Sequence, residues 1–370
     1  MTANDRHKAP GSASARPRLL LCGLDSLYVS YYLDVRNGKL DFEELAVQKE
    51  RAREARKGRL EAAQVGSESF AVMPYGKHPY AYVLTNDAFE VRLSENMSPS
   101  CHVQYGSHLL WHCGLEDSLN RFDSWCGSLG LRQKAPEVVA RADWAFDYAL
   151  PDIDFGADHF ISRFKKDSIH RSNRKIQTFT FGRGDCVIRV YDKVAEIEEE
   201  SHKYWFFPLW GRRAGVWRIE FQVRGARLQQ AGMHTTDDLR DLQNDLVHEL
   251  ATNHTTLRQP SGDSNRARWP LHPLWRLFIG DITQLPRTGL IRNFSPHATL
   301  NMRLDYQGRA LHGTLKGYAA LLSERHERDV PLTFEELLAA LGPALRRHHN
   351  PVVWHADVGN RLKAMRLGQW

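Results

Sequence analysis

The sequence lacks the features that mark membrane, secreted and disulfide-stabilised proteins. No window approaches about 18 uncharged apolar residues, so we expect no segment to span a membrane. The five cysteines are odd in number and form no C-x-x-C pair, which argues against a disulfide framework or a zinc knuckle and predicts reduced thiols. Residues 1–17 lack the apolar stretch of a signal peptide and are predicted to be a flexible tail. The protein is therefore expected to be cytoplasmic.

Several signatures of nucleotide-binding and DNA-processing enzymes are also missing. There is no P-loop, so ATP-driven strand separation would require a partner helicase. No His-x-His pair occurs, which argues against initiators that bind a metal through two histidines on one strand. No histidine has the His-x-x-Arg or His-x-x-Lys spacing of a tyrosine recombinase. The G-x-G of "FGRGD" lacks the third glycine and the helix of a dinucleotide loop, so it predicts a hairpin turn.

What the sequence does contain is an uneven distribution of charge. The formal net charge of +6 comes entirely from residues 258–370, where Lys and Arg outnumber Asp and Glu. Segments there interleave cations with aromatic residues, as in "RARWPLHPLWRLF" and "GNRLKAMRLGQW". Such segments suit a phosphate backbone and stacked bases, although a solvated basic surface has the same composition. Residues 258–370 are therefore predicted to be a basic C-terminal DNA-binding region.

The rest of the chain divides into two parts with the same coarse order of strands followed by a helix. Residues 18–135 form the first α+β half, and residues 136–257 form the second. Within the first half, the densely charged stretch from Phe42 to Val65 predicts an exposed helix or helical arm. Within the second, "DHFISRFKKDSIHRSNRK" predicts a helix or a basic loop, and "IQTFTFGRGDCVIRVYDK" predicts a hairpin. Threonines ahead of "DDLRDLQNDLVHEL" predict the capped start of a helix.

Three predicted strands of the second half, "ARADWAFDY", "CVIRVYDK" and "VWRIEFQVR", alternate between apolar and charged residues. Because side chains alternate between the two faces of a strand, each has an apolar face for a core and a charged face opposite it. A plain sheet with one solvated face and cross-strand ion pairs is the ordinary explanation. If the three strands are neighbours, their charged faces converge. Those faces carry Arg141, Asp143 and Asp147 in the first strand, Arg189, Tyr191 and Lys193 in the second, and Arg218 and Glu220 in the third.

This set of side chains matches the requirements of tyrosyl transfer onto a phosphodiester. Clustered carboxylates supply the oxygen ligands that Mg²⁺ or Mn²⁺ prefers. A tyrosine hydroxyl is a poor nucleophile until a base or a cation favours its phenolate. Arginine and lysine stabilise the charge that develops on a phosphoryl group during transfer. The charged face is therefore a candidate catalytic surface.

The order and spacing of these segments resemble those of the replication initiation factor family, the rolling-circle initiators of staphylococcal-type plasmids with relatives in filamentous phages and integrative elements. The resemblance covers roughly residues 20–232 and includes "GLDSLYVSYYLDV" and "AFEVRLSENMSPSCHVQYG" upstream. It implies two related ferredoxin-like halves with antiparallel sheets, to which this chain adds the basic C-terminal extension. It also implies an enzyme that nicks one strand of its origin DNA, forms a 5′-phosphotyrosine link and frees a 3′-hydroxyl primer.

The resemblance assigns roles to individual positions. The nucleophile lies in the block matched by "RVYDK", which points to Tyr191, with Lys193 and Arg189 assisting charge or placing the phosphate. The acids that bind Mg²⁺ or Mn²⁺ lie in blocks matched by "RADWAFD", "RIEF" and "LDSL". These carry Asp143, Asp147, Glu220 and, more weakly matched, Asp25.

The resemblance also leaves alternatives open. Tyr148 or Tyr204 could act in place of Tyr191. The expected partners are origin DNA, as duplex and as nicked single strand, together with a host helicase and polymerase; a homodimer is left open. A non-enzymatic, sequence-specific DNA-binding regulator that retains the initiator fold is the competing function, since fold does not guarantee activity.

Overall fold

The computed structural model of the protein describes residues 16–55, 61–150, 152–172, 175–285 and 296–366. The tail predicted at residues 1–17 lies almost entirely outside them. No helix within these ranges is both long enough and apolar enough to cross a membrane. The described chain is an α+β structure built on one large antiparallel sheet.

The first half begins with a long strand and ends with a long helix. Between them lie a short helix and five shorter strands that form antiparallel pairs. The elements are β1 (Arg18–Leu33), α1 (Phe42–Glu54), β2 (Glu61–Val65), β3 (Glu68–Val72), β4 (Tyr82–Thr85), β5 (Phe89–Leu93), β6 (Cys101–Tyr105) and α2 (Ser107–Ser128).

The second half repeats this order, with a longer connection between its last two sheet strands. It also begins with a long strand, and its main helix comes after the sheet strands, followed only by a short strand that pairs with another short strand outside the large sheet. The elements are β7 (Gln133–Ala149), β8 (Phe160–Ser162), β9 (Asp167–Ser172), β10 (Lys175–Arg183), β11 (Cys186–Asp192), α3 (Lys193–Glu196), α4 (Phe206–Trp210), β12 (Val216–Arg224), α5 (Gly225–Gln230), α6 (Thr236–Glu249) and β13 (Thr255–Leu257).

The two halves join in the middle of an eleven-stranded sheet with the order β2-β3-β4-β5-β6-β1-β7-β12-β11-β10-β9. The long strands β1 and β7 pair along almost their whole length and form the seam between the halves. The predicted α+β class and antiparallel pairing are confirmed. The ferredoxin-like topology is not confirmed. In each half, three consecutive strands (β4 to β6 and β10 to β12) are neighbours in the sheet, and the main helix follows them.

One face of the second half of the sheet is apolar and carries the core. Trp144, Phe146 and Phe221 occupy alternate positions along their strands, and all three are buried on this face. Helix α6 covers it, and Gln243 of that helix accepts a 3.0 Å hydrogen bond from the indole of Trp144. A capping box between Thr235 and Asp238 begins α6, as the sequence predicts.

Two segment predictions differ from the structure. The predicted helix over Phe42–Val65 ends at Glu54, and residues 61–65 form strand β2, whose Ala63 and Val65 are buried in the core. Packing of those small apolar residues thus outweighs the charge pattern around them. The segment predicted as a helix or basic loop contains the short strand β8 and the outermost strand β9. The hairpin of β10 and β11 is confirmed, and it turns at Gly182 and Gly184, whose φ angles are 88° and 76°.

The C-terminal third begins inside the core. Helix α7 (Pro273–Asp281) packs on the apolar face of the sheet, where the ring of Phe278 lies 4.9 Å from that of Phe146. Trp275 of the same helix is also buried. Residues on both sides of the boundary predicted at 257/258 therefore share one core. The remaining described elements are helices α8 (Pro296–Arg325), α9 (Phe334–Arg346) and α10 (Pro351–Arg366).

Candidate active site

Strands β7, β12 and β11 are consecutive neighbours in the sheet, and their register aligns the charged residues. Arg218 of β12 stands directly opposite Asp147 of β7 on one side and Tyr191 of β11 on the other. Glu220 stands opposite Arg189 in the same way. Because cross-strand partners share a face, the predicted convergence of the three charged faces is confirmed for the residues within the strands. Lys193, which was predicted to continue the face of β11, instead begins helix α3, because Asp192 caps that helix and ends the strand.

The connection from β11 to β12 turns this flat face into a cleft. Helix α3, a following turn of π-helix and helix α4 fold back over one end of the face. Aromatic residues of α4 hold the connection down: the ring of Phe206 lies 4.6 Å from the guanidinium of Arg218, and Trp210 donates to Asp147 at 2.9 Å. The resulting cleft has a volume of about 380 Å³, and its walls include Tyr191, Lys193 and Arg189.

Tyr191 is buried at the base of the cleft with its hydroxyl already paired. The hydroxyl donates a 2.8 Å hydrogen bond to Oε2 of Glu220, and Arg189 donates to the other oxygen of that carboxylate at 3.0 Å. Burial and the adjacent charge of Glu220 raise the pKa of Tyr191 well above its ordinary value. The phenol is therefore protonated at neutral pH, and a carboxylate stands where a base would accept its proton.

Lys193 lies beside the tyrosine ring and is only 2% exposed. Its ammonium group pairs with Glu196 and sits 5.6 Å from the centre of the Tyr191 ring. Burial, reinforced by the charges of Arg218 and Lys203, lowers the pKa of Lys193 to about 8. This cation is thus close to its titration point under physiological conditions.

Two of the predicted metal ligands are held by a buried arginine. Arg218 is fully buried; its Nε and Nη2 donate to both oxygens of Asp147 at 2.6 and 2.9 Å, and its Nη1 donates to Asp25 of β1 at 2.9 Å. The indole of Trp111 also donates to Asp25, at 2.8 Å. Burial opposes ionisation of Asp25, but the charges of Lys203 and Arg218 hold the pKa of that carboxyl far below its usual range. These acids are the counter-ions of Arg218.

Asp143 belongs to a second chain of polar contacts that leads back to the tyrosine. Arg141 donates to Asp143 at 2.8 Å and to the amide oxygen of Gln222 at 3.0 Å. Arg189 reaches the same amide oxygen at 3.3 Å while it also binds Glu220. Asp143 and Glu220 are therefore linked through two guanidinium groups and one amide.

The four predicted acids do not fit a shared divalent cation in this arrangement. Two of them are bound to Arg218, one to Arg141, and Glu220 is shared between Tyr191 and Arg189. Within the described ranges, no group of three or more His, Cys, Asp or Glu side chains is placed to hold a metal ion. Dependence on Mg²⁺ or Mn²⁺ stays a prediction.

The structure brings some of the predicted site residues together and separates others. Tyr191, Arg189, Lys193, Glu220 and Asp25 all line the cleft, whereas Asp143 and Asp147 do not. Of the alternative nucleophiles, Tyr148 faces the apolar side of the sheet and donates to Asp281, outside the cleft. Tyr204 is buried among the aromatic residues of the connection.

Three residues important to the site were not assigned a role from the sequence. Arg218 could have been identified, because it lies two positions before Glu220 and therefore on the same face as the acids. Trp111 and Trp210 carry no such signal. Their contacts with Asp25 and Asp147 depend on how α2 and α4 fold against the sheet.

Comparisons with known proteins add little to this picture. No protein-family model matches the chain, and no curated protein matches it. Among solved structures, the chain is similar to that of a rolling-circle replication initiator protein from Geobacillus stearothermophilus. The two are 18% identical with a TM-score of 0.41, and the match covers 72% of this chain and 97% of the other. At that level the likeness carries no argument about function.

Proposed function

We propose that this protein is a rolling-circle replication initiator that nicks one strand of its origin DNA with Tyr191. The observation that carries the proposal is the pairing of the Tyr191 hydroxyl with Glu220 inside a cleft that also contains Arg189 and Lys193. The order of the sequence segments, which resembles that of the initiator family, supports the same assignment. Origin DNA is then the substrate, with a helicase and a polymerase as partners in replication.

The chemistry follows from the positions of these groups. The Tyr191 oxygen attacks the phosphorus of a phosphodiester while its proton passes to Glu220 over the 2.8 Å hydrogen bond. A bond forms between phosphorus and the tyrosine oxygen, and the bond between phosphorus and the 3′ oxygen breaks. The departing oxygen takes a proton from Lys193 or from solvent, which leaves a 3′-hydroxyl and a 5′-phosphotyrosine. Joining is the reverse of these steps.

Burial makes a base necessary for this reaction. A tyrosine whose pKa is raised well above its ordinary value is almost never ionised at neutral pH, so spontaneous formation of the phenolate is rare. Glu220 removes that limitation by accepting the proton as attack proceeds. Arg189 and Lys193 then balance the negative charge that develops on the phosphoryl oxygens. No step in this scheme passes through a metal ion.

The test is the formation of a covalent protein–DNA adduct. A supercoiled plasmid carrying DNA from around the coding sequence, and oligonucleotides from the nicked strand, are incubated with the wild type and with Tyr191→Phe. We expect the wild type to nick the plasmid and to carry a 5′-phosphate on Tyr191 by mass spectrometry. Tyr191→Phe should fold and bind DNA as the wild type does, yet form no detectable adduct, because only the hydroxyl oxygen is lost.

A matched control removes a different buried hydroxyl close to the cleft. Tyr204→Phe should keep full nicking activity, since Tyr204 belongs to the aromatic cluster that holds the connection down. A phosphate mapped to Tyr204 or Tyr148, or an active Tyr191→Phe protein, would refute the assignment. If the wild type binds the DNA specifically but never forms an adduct, a non-enzymatic regulator is the better description.

A further inference from the structure

The outermost strand of the second half, β9, and the residues flanking it are rich in positive charge. Between residues 163 and 175 the sequence has a single acid, Asp167. We define the basic edge as the cations of this segment that lie within the described residues. They are Arg163, Lys165, Lys166, Arg171 and Lys175.

The basic edge is exposed, and its charges are not used inside the protein. All five side chains are exposed, as is the central residue of the strand, Ile169. None of the five takes part in an ion pair found among the described residues, in contrast to the cations of the sheet face, such as Arg189 and Arg218. A run of unpaired exposed cations produces a positive potential that attracts a polyanion.

This edge lies close to the cleft. Strand β10 alone separates β9 from β11, and the register runs from His170 through Thr178 to Tyr191. With neighbouring strands spaced about 4.8 Å apart, β9 is roughly 10 Å from the strand that carries the tyrosine. His170 itself lines the cleft. A DNA strand whose phosphate reaches Tyr191 would therefore have its neighbouring phosphates within reach of the basic edge.

The connection that covers the cleft carries mostly the opposite charge, with Lys203 as a further cation among its lining residues. The connection above Tyr191 presents Glu196, Glu199 and Glu200 to the same space. One of these, Glu196, is neutralised by Lys193. Glu199 and Glu200 repel a phosphate backbone, so the attraction for DNA beside the cleft comes from the basic edge and not from these residues of the cover.

Cations on an edge strand also have an ordinary structural explanation. Lysine on an exposed edge discourages pairing with the edge of another molecule and so limits aggregation. That explanation accounts for the charge without any ligand. It predicts no change in DNA affinity when the cations are neutralised, which makes the two explanations separable by experiment.

We propose that the basic edge binds the sugar–phosphate backbone of the single DNA strand that enters the cleft, as a contact surface additional to the basic C-terminal region. The inference rests on the proposed function, since it identifies the path by which the substrate reaches Tyr191. Lys165, Lys166 and Arg171 are the cations to substitute, because they are exposed and, since none of them lines the cleft, their loss leaves the surroundings of Tyr191 intact. Arg171 alternates with His170 along β9, so it would contact the DNA backbone at the outer edge of the sheet and not inside the cleft.

The test compares two triple variants of the full chain that remove the same charge. Lys165→Gln/Lys166→Gln/Arg171→Gln changes the basic edge, and Lys39→Gln/Arg51→Gln/Arg132→Gln changes three exposed cations of the first half. Binding of a fluorescein-labelled single-stranded oligonucleotide of mixed sequence is measured over a series of salt concentrations. For three lost phosphate contacts we expect the slope of log affinity against log salt to fall by about 2, while the control keeps the wild-type slope.

A second measurement separates this inference from the proposed function. Adduct formation at saturating oligonucleotide reports on Tyr191, and the basic-edge variant should retain it because the cleft is intact. A wild type without any adduct refutes the nicking function but leaves the DNA-binding surface supported if the slope still falls. A basic-edge variant with the same affinity and slope as the control, or a wild type that does not bind the oligonucleotide, overturns the inference.

Discussion

The two halves of the sheet present similar polar faces but differ in how those faces are covered. In the first half, Glu90 on β5 is held between Lys77 and Arg92, and all three side chains keep some exposure to solvent. In the second half, Arg218 and Asp147 are both completely buried. Strand β5 corresponds to β11, the neighbour of β12, because each is the middle one of three adjacent strands that precede the main helix of its half. The same arrangement of strands therefore supports a solvated ion-pair network in one half and a buried one in the other.

The difference arises from the length of one connection. Strand β5 leads to β6 through residues 94–100, whereas β11 leads to β12 through residues 193–215. The longer connection contains Phe206 and Trp210, which cover Arg218 and Asp147. Covering the face removes water from the charges and lowers the local dielectric, so the interactions there become stronger and the pKa values shift further. A buried polar site with shifted pKa values can thus be produced by adding a cover to an otherwise ordinary sheet.

We expect the largest difference between the two halves when Glu220, the proposed base, is replaced and the rate of adduct formation is measured. Glu220→Gln keeps the side-chain volume but loses the proton acceptor, so the rate of adduct formation should fall about 10²- to 10⁴-fold. The matched change in the first half, Glu90→Gln, should leave that rate unchanged. Single-turnover assays on a labelled oligonucleotide measure both. A Glu220→Gln protein with the wild-type rate would show that another group accepts the proton.

The next effect concerns stability. Asp147→Asn removes one charge from a fully buried pair and leaves Arg218 partly uncompensated, so the free energy of unfolding should drop by about 3–5 kcal/mol. Glu68→Gln breaks the partly exposed pair between Glu68 and Arg121 in the first half and should cost about 1 kcal/mol or less. Urea denaturation compares the two. A stable Asp147→Asn protein whose weakened nicking is restored by added Mn²⁺ would instead identify Asp147 as a metal ligand.

The smallest expected effect is a pH dependence of the rate of adduct formation. We expect it to arise in the second half, whose polar face is covered by the connection from β11 to β12. Lys193, with a pKa lowered to about 8, is protonated below that pH and loses its charge above it. The rate of adduct formation in the wild type should therefore fall as the pH rises through about 8, because the ammonium group beside Tyr191, which the proposed mechanism uses to balance charge on the phosphoryl group, is lost. Tyr191 does not titrate in this range, since its pKa is raised well above its ordinary value.

Lys193→Gln provides the comparison for this pH profile. That variant should be slower than the wild type below a pH of about 8, should approach the wild-type rate above it, and should show no fall near it, since it has no ammonium group to lose. Rates are measured on both sides of that pH with the same oligonucleotide. An unchanged fall in Lys193→Gln would assign the titration to a different group.

Much of the framework was predictable because strand alternation is a local property. The two-residue period placed Arg189 with Tyr191 on one side of their strand, Glu220 on the charged side of its own, and Trp144 with Phe146 on the apolar side of theirs; that the charged sides coincide followed only once the strands were seen to be neighbours. The hairpin of β10 and β11 and the capped start of α6 were also predictable, since short sequence signals determine both. The strand at residues 61–65 was not, because its charged surroundings conceal the buried Ala63 and Val65.

The partners of the acids could not be predicted in the same way. The family resemblance assigned Asp25, Asp143, Asp147 and Glu220 as metal ligands, and the strand pattern supported a charged face only for the last three. Whether a carboxylate on that face meets a metal, an arginine or water depends on the register between strands that are far apart in the chain. In the structure, register brings Arg218 between Asp25 and Asp147 and leaves Glu220 beside Tyr191.

The sequence by itself determined which side chains share a face, where the positive charge accumulates and which tyrosine stands among cations. These properties depend on neighbours one or two positions away and on composition. Only the tertiary structure decided that the connection after Tyr191 covers the site, that Arg218 binds two of the acids and that Trp275 and Phe278 of the C-terminal third belong to the core. Those outcomes depend on contacts between distant segments, which form only when burial of their apolar surface outweighs the entropy lost in ordering the chain.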